Sequence, residues 1–179
     1  MAVEALKAIA ITNADATPIK PNAAGAGAPG IMREIDGFVT ISAAASVAST
    51  YRMCRIPTNA KVKSVTLESE AQGAGKINLS VYYSDSTTDG TAAANVGVIV
   101  PTTGDQFFAS DVDLASLVTP TNVTNESTNY SLDKRQKALW DALGLATDPG
   151  GFFDVVAVVH TTAVTTGTGK MGVRVSFID

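Results

Sequence analysis

The sequence predicts a mainly β protein of antiparallel strands, with one short helix and an extended N-terminal arm. From Gly37 onward, short runs of β-branched and aromatic residues alternate with turn residues, which is typical of antiparallel β structure. Several of these runs place apolar residues at every second position, as strands with one buried face do. Before Gly37, the stretch "TNADATPIKPNAAGAGAPGIMREIDG" (12–37) has no repeating apolar face.

This contrast divides the chain into an extended arm, 1–36, and a β domain, 37–179. Prolines 18, 21 and 29 favour an extended arm, and an extended run of about 25 residues spans on the order of 80 Å. A segment of this kind becomes ordered when it binds, so we expect it to wrap an adjacent subunit. The predicted partner-binding anchors of the arm are its large apolar residues, Ile19, Ile31, Met32 and Ile35.

The first strands of the domain follow the arm directly. "FVTIS" (38–42) is predicted to open it, and "STYRMCRIP" (49–57) to follow, ending at Pro57 because proline cannot donate to a strand ladder. In "AKVKSVTLESEA" (60–71) the apolar positions change face partway along the run, which predicts a β-bulge near Lys63 and Ser64.

The later strands have the clearest patterns. "GKINLSVYYSD" (75–85) and "KMGVRVSFI" (170–178) alternate strictly, so each should bury one face. "FFDVVAVVH" (152–160) is apolar on both faces and is predicted to be a central strand covered on both sides. The glycines of "AQGAG" (71–75) and "TTAVTTGTG" (161–169) favour two hairpin connections.

One helical insert is predicted near 131–143. Ser131 is a candidate N-cap, apolar residues in "LDKRQKALWDALGL" fall near helical spacing, and Gly144 is a C-terminal stop. The preceding stretch "TPTNVTNESTN" (119–129) is interpreted as a polar loop because it has no apolar face.

Charge and cysteine content limit the possible functions. The net charge of −4 argues against direct nucleic-acid binding, because phosphate recognition needs clustered Lys and Arg. The single cysteine, Cys54, cannot form an intrachain disulfide or a cysteine-based zinc site. No membrane span is expected, since no run approaches 18 uninterrupted apolar residues.

Catalytic groups are scarce. His160 is the only histidine and ends an apolar strand, so a structural role at a strand end is predicted for it. Glu68 and Glu70 are two residues apart on one strand, which places both carboxylates on its solvent face rather than across a cleft as in a glycosidase. No hydrolase, zinc-protease or nucleotide-binding motif occurs. We therefore expect no enzyme activity and no cofactor.

Two aspartate-containing stretches are candidate metal sites. "DSTTDG" (85–90) partly matches a calcium loop, but Thr87 stands at its third position and Val96 where the bidentate glutamate belongs. Asp111 and Asp113, with Asp105, could also hold a cation, although aspartates commonly cap turns. A polar turn is the preferred interpretation of both stretches, and no metal is expected.

Part of the sequence also resembles a known protein family. "YRMCRIPTNAKVKSVTLESEAQGAGKINLSVYYSD" and "DQFFASDVDL", which lie within Tyr51 to Leu114, resemble the body of small virion proteins of tailed bacteriophages. The resemblance implies a jelly-roll-like β-sandwich that acts as a decoration or cement protein on the capsid exterior, typically as a homotrimer. It brings no catalytic residue, and neither the arm nor the insert at 131–143 matches the family.

The expected function is therefore a structural one in a virion, with the protein made in the host cytoplasm. The expected partners are the major capsid protein or other virion proteins, together with further copies of the chain. A head-fibre, neck or tail component is an alternative. A carbohydrate-binding or adhesin-like β-sandwich is a second alternative, for which aromatic residues, at 6% of the chain, are few.

Overall fold

The computed structural model describes residues 30–41, 45–84, 106–165 and 169–179. These residues form eight strands: β1 (Met32–Ile41), β2 (Thr50–Pro57), β3 (Lys61–Ser69), β4 (Lys76–Tyr83), β5 (Ala109–Asp113), β6 (Val118–Asn122), β7 (Phe152–His160) and β8 (Gly169–Ile178). A 3-10 helix (Leu132–Gln136) and one turn of α-helix, α1 (Leu139–Ala142), lie between β6 and β7. No helix among these residues is long and apolar enough to cross a membrane.

The strands form two four-stranded antiparallel sheets. The first sheet has the order β1-β8-β3-β6 and the second sheet the order β2-β7-β4-β5. This is the strand order of an eight-stranded jelly roll, in which the chain passes repeatedly from one sheet to the other. The predicted fold class, a mainly β, jelly-roll-like sandwich with one short helix, is confirmed.

The core lies between the sheets and is built from alternate residues. Those of β4 and β8 point inward as their alternation predicts: Ile77, Leu79, Val81, Tyr83, Met171, Val173, Val175 and Phe177. The other face of β4 is buried as well, at Asn78, Ser80 and Tyr82. Strand β7 lies between β2 and β4 and is buried from Phe153 to Val159, as predicted for a central strand. The centre of the second sheet is thus buried on both faces.

The two predicted hairpins are wrong. Strand β3 belongs to the first sheet and β4 to the second, so the segment 70–75 crosses between sheets instead of joining paired neighbours. The same holds for β7 and β8, whose connection includes residues 161–165. The local conformation at "AQGAG" was nevertheless predicted well, because Gly73 and Gly75 both have positive φ. Glycine signals report a change of direction but do not identify the sheet that the chain enters next.

The β-bulge predicted in β3 is confirmed. The pairing register between β3 and β8 shifts between Val62 and Ser64. The Val62 carbonyl accepts a hydrogen bond of 2.7 Å from the buried Tyr130 hydroxyl, and burial raises the pKa of that hydroxyl. The insert between β6 and β7 therefore supplies a polar partner for backbone at the bulge.

The helical insert is shorter and more broken than the predicted helix over 131–143. The Ser131 hydroxyl bonds Asp133 Oδ1 at 2.5 Å and does not cap the 3-10 helix. The backbone N–H groups of Leu139 and Trp140 donate to Ala60 and Thr58, at 2.8 and 3.0 Å. Because those donors bond the loop between β2 and β3, they cannot continue a helix that began at Ser131. The chain does leave α1 through a left-handed Gly144, with φ 81°.

Two boundaries also differ from prediction. Strand β6 (Val118–Asn122) was expected to be loop, but it pairs with β3 at the edge of the first sheet. Pro120 is tolerated there because an edge strand has one unpaired side. Strand β1 begins at Met32 and pairs with β8 along its whole length. Residues 32–36 therefore belong to the sheet, and not to the arm as the boundary at 36 assumed.

The edge strands of the two sheets meet at Gly37. A Cβ atom at this position would overlap the Met53 carbonyl oxygen and lie 2.6 Å from the Met53 carbonyl carbon. The Cys54 sulfur, one residue further along β2, lies 3.4 Å from the Val173 carbonyl oxygen and 3.6 Å from that of Ile35. Glycine thus permits β2 to pack backbone-close against β1.

Candidate functional site

The outer face of the first sheet is the candidate site, and one half of it is charged. Arg174 Nε donates a 2.8 Å hydrogen bond to Asp36 Oδ1 and lies 3.5 Å from Glu34 Oε1. Ser176 Oγ donates to Glu34 Oε2 at 3.1 Å. Because these exposed groups satisfy one another on β1 and β8, this charged strip gives the sheet a polar surface and contributes little to stability.

The other half of the same face carries a groove, which we call the outer groove. Phe38, Gly172 and Glu68 are paired in one row across β1, β8 and β3. Gly172 has no side chain, and the Glu68 side chain lies over it, 3.1 Å at Cγ from where a Cβ would stand. Leu117, just before β6, forms the opposite wall. The groove encloses about 460 Å³ and is lined mainly by Phe38, Glu68, Glu70, Leu117, Lys170 and Gly172.

The walls of the outer groove are apolar and in water. Phe38 is 76% exposed and Leu117 is 65% exposed. Large apolar side chains that are grouped on a surface are a common feature of docking sites. The sequence placed Phe38 on a strand and predicted no role for it. The structure places its side chain in the wall of the outer groove.

The rim of the outer groove is acidic. Glu68 and Glu70 are both exposed, as their predicted position on the solvent face requires. Glu70 Oε2 accepts a 2.7 Å hydrogen bond from the backbone N–H of Lys170, which fixes that carboxylate at the rim. The two carboxylates and one lysine give the rim a net negative charge, so it should favour a partner with a basic group beside an apolar one.

A second apolar patch lies at the other end of β1, where the N-terminal arm joins the sheet. Ile31 is 67% exposed and Met32 is 65% exposed. Met32 pairs with Ile178, whereas Phe38 pairs with Gly172, so six residues, or about 20 Å of strand, separate this root patch from the outer groove.

The predicted arm anchors do not form one set. Ile31 and Met32 are exposed and form the root patch. Ile35 is half-buried and packs against the protein's own core, so its side chain serves the domain and is not available as an arm anchor. Ile19 lies outside the described residues.

His160 ends β7, as predicted, and has a partner that the sequence did not reveal. Its Nδ1 lies 2.8 Å from Asp111 Oδ1, which also accepts a 2.9 Å hydrogen bond from Thr161 Oγ1. These hydrogen bonds lower the pKa of Asp111. The Asp111 backbone N–H in turn donates to Asn78 Oδ1 at 2.8 Å. The group ties β5 to the ends of β4 and β7.

Asp154 is the centre of a second polar cluster, which the sequence did not predict. It is a buried carboxylate on β7 and is bonded by two arginines of β2: Arg55 Nε at 2.7 Å and Arg52 NH1 at 3.3 Å. The arginine side chains remain partly exposed. This arrangement neutralises a buried charge, as buried carboxylates require, close to the point where the register between β2 and β7 shifts between Arg52 and Cys54.

The aspartates weighed as metal ligands have local roles where the structure describes them. Asp113 Oδ1 accepts a 2.8 Å hydrogen bond from the Ala115 backbone N–H, which is the turn-capping role expected for it. Asp105 and the stretch 85–90 lie outside the described residues. In the described ranges, no group of three or more His, Cys, Asp or Glu side chains is arranged to hold a metal ion.

Comparison with known proteins finds solved structures of similar fold. No protein family matches the chain, and no curated protein matches it. A chain of the capsid asymmetric unit of cyanophage Pam1 is 19% identical, with 92% of this chain and 96% of that chain covered and a TM-score of 0.41. A chain of the acid-stable capsid of Helicobacter pylori bacteriophage KHP30 is 14% identical, with 83% and 94% covered and a TM-score of 0.34. Likeness at these TM-scores does not establish a shared function.

Proposed function

We propose that the protein is a non-enzymatic structural component of a tailed-phage virion that decorates and cements the head from outside. It binds across the seams between major capsid proteins and acts as a homotrimer, and its N-terminal arm and the outer face of its first sheet are contact surfaces within that assembly. The observation that carries the proposal is the outer groove, with Phe38 and Leu117 in water beside an acidic rim. A surface of this kind suits binding to another protein and offers no catalytic constellation.

The fold and the sequence resemblance support this choice together. Jelly rolls occur in viral capsid proteins but also in lectin domains and cupins, so the fold alone does not select a function. The resemblance to small virion proteins of tailed phages lies within Tyr51 to Leu114, which includes β3, β4 and β5. Glu68 and Glu70, at the rim of the outer groove, fall inside that region.

The cementing action follows from linkage. A protein that binds only the assembled shell shifts the equilibrium toward the shell. Weak contacts repeated by symmetry then act together, because each further contact of a docked trimer is intramolecular. The net charge of −4 keeps such a protein from competing with the shell for packaged DNA.

The test is binding of the purified protein to heads that lack it, followed by sedimentation. We expect saturable binding in multiples of three copies per site and an increase in the temperature at which the heads break open. Replacing both groove walls, Phe38→Ser with Leu117→Ser, should weaken binding at least tenfold, since two exposed apolar anchors are lost. The matched control is Leu132→Ser, because Leu132 is 73% exposed on the 3-10 helix and does not line the outer groove.

Three results would contradict the proposal in different ways. Binding to isolated tails or necks but not to heads would favour the alternative virion location. Stabilisation of the protein by a glycan would favour the adhesin alternative, although the large exposed aromatic side chains of the described ranges are Phe38 and Phe152 alone. If Leu132→Ser weakened head binding as much as the two groove substitutions do, the outer groove would not be the binding surface.

A further inference from the structure

We propose that the outer groove receives the segment Pro18–Pro21 from the N-terminal arm of a second copy of the chain, so that neighbouring copies are linked by their arms. This inference deepens the proposed function and rests on it for its setting. It names the partner of the outer groove as a sister subunit, and leaves the remaining surface of the trimer for the shell.

The chemistry of the segment matches the chemistry of the groove. Residues 17–22 read "TPIKPN", so a branched apolar side chain, Ile19, stands next to a basic one, Lys20, between two prolines. Prolines restrict such a segment toward the polyproline conformation, in which successive side chains point about 120° apart. Ile19 can then enter between the apolar walls while Lys20 reaches Glu68 at the rim. In the described part of the chain, the charge of Glu68 acts on Arg174, but Arg174 makes its close contacts with Glu34 and Asp36 instead.

Two features of the groove suit an extended peptide in particular. Its floor at Gly172 is covered only by the flexible side chain of Glu68, and when that side chain turns toward Lys20 a peptide backbone can come close to the sheet. Its volume of about 460 Å³ is in the range of sites that hold a few side chains. Prolines restrict the free segment, so less conformational entropy is lost when it binds.

The reach of the arm permits exchange between copies. Ile19 lies eleven residues before Gly30, where the described part begins, and eleven extended residues span about 35 Å. The root patch and the outer groove lie about 20 Å apart on the same strand. A neighbour whose groove faces the root patch is therefore within range.

The positions of the apolar patches favour a second copy over the chain's own groove. An arm that returned to its own groove would have to reverse direction and pass the charged strip of Glu34, Asp36 and Arg174. It would also leave Ile31 and Met32 in water. In exchange between copies, the arm continues away from the sheet, and the root patch of one copy meets the groove end of the next. A head-to-tail contact of this kind closes into the proposed trimer when successive copies are related by a threefold rotation.

Disulfide trapping in the full-length protein tests the exchange without any shell present. An untagged chain with Lys20→Cys is co-expressed with a tagged chain with Glu68→Cys, and the mixture is mildly oxidised. We expect a covalent species that contains one chain of each kind. The native Cys54 is buried, so wild-type protein supplies the background. The matched control replaces Glu68→Cys by Leu132→Cys, which offers an exposed thiol outside the groove and should give no such species.

The outcomes decide between the occupants. If a single chain that carries both substitutions forms its disulfide internally and the mixture forms none, the arm binds its own groove and the inference is wrong. If neither sample forms a disulfide, or the Leu132→Cys control forms as much, the segment 18–21 does not occupy the groove and the inference is equally wrong.

A charge exchange provides an independent measurement. Lys20→Glu and Glu68→Lys should each weaken self-association about two- to fivefold, as exposed ion pairs do, and the chain with both substitutions should recover the wild-type value. Ile19→Ser should weaken self-association at least tenfold, because an apolar anchor is lost. Absence of rescue in the double variant would overturn the Lys20 to Glu68 pairing. Because these measurements use no heads, a failure to bind heads would contradict the proposed function and leave this result intact.

Discussion

Replacing Gly37 by alanine should destabilise the protein strongly, although alanine is the smallest change available in a strand. The added Cβ would overlap the Met53 carbonyl oxygen and lie 2.6 Å from the carbonyl carbon. Ordinary carbon contacts are about 3.5 Å or more, so the β2 backbone would have to retreat by about 1 Å to clear the carbonyl carbon and by more than that to clear the oxygen. Since Met53 and Cys54 of β2 lie directly against β1, that movement separates the two sheets at their edge.

The magnitude can be bounded from two opposing effects. Overpacking that displaces backbone costs about 1–3 kcal/mol or more. Replacing glycine by alanine also lowers the conformational entropy of the unfolded chain, which stabilises the folded state by about 0.4–1 kcal/mol. We therefore expect a net loss of about 2 kcal/mol, which lowers the melting temperature by about 4–8 °C for a chain of this length.

The assay is thermal unfolding followed by circular dichroism, with Gly172→Ala as the matched control. A Cβ at Gly172 meets the end of the Glu68 side chain, 2.9 Å from Oε1, and a flexible side chain can move at little cost. The control should stay within about 0.5 kcal/mol of wild type. Equal melting temperatures for the Gly37→Ala variant and wild type would refute the close approach of β1 and β2, and with it the meeting of the two sheets at this edge.

Three further predictions follow from contacts in the domain. Removing residues 1–30 should leave the melting temperature within about 2 °C of that of the full chain. Removing residues 1–36 deletes half of β1 and should lower the melting temperature by about 5–10 °C. Similar melting temperatures for the two truncated proteins would contradict the assigned start of β1. Tyr130→Phe should cost about 1–2 kcal/mol in urea unfolding, because the buried Val62 carbonyl loses its hydrogen bond, and an unchanged midpoint would show that water replaces it. Burial, with a smaller contribution from Asp36, raises the pKa of the Cys54 thiol to about 12. The folded state then holds a proton that the unfolded state loses above its ordinary pKa near 9, so wild-type stability should fall between about pH 9 and 12 more steeply than that of Cys54→Ala; parallel pH profiles of the two proteins would contradict it.

The strands could be predicted from the sequence because their signal is local. The alternation that places Ile77, Leu79 and Val81 in the core has a period of two residues and needs no knowledge of the rest of the chain. The bulge near Lys63 is visible for the same reason, since one extra residue changes the parity of the apolar positions within a single run. The continuous apolar run of β7 likewise indicates a central strand.

The connections and the insert could not be predicted because they are decided by distant partners. The turn at "AQGAG" has the residues of a hairpin, but β4 pairs with β7 and not with β3. The helix after Ser131 stops where Leu139 and Trp140 bond Ala60 and Thr58, residues that are about 80 positions earlier in the chain. Strand β6 has weak strand propensity and contains Pro120, and it exists because the edge of β3 is there to pair with it.

The candidate site shows the same division. The exposure of Glu68 and Glu70 follows from alternation along β3, and it was predicted. The outer groove was not, because Phe38, Gly172 and Leu117 come from three segments that meet only when β8 lies between β1 and β3. A glycine that looks like an interruption of an alternating strand is in fact the floor of the groove, and that role has no signature in a single run of sequence.

The position of β8 in the first sheet has a consequence for biosynthesis. β8 is made after every other strand described, yet it is the strand that joins β1 to β3. A chain on the ribosome therefore holds β1 and β3 as separate edges until β8 emerges, and pairing across such long sequence separations is slow. Gly172 and Lys170 arrive with β8, so the outer groove does not exist on a nascent or prematurely terminated polypeptide. Under the proposed function, only a chain that has been translated through β8 could bind its partners through the groove, and incomplete chains would stay out of the assembly without any separate proofreading step.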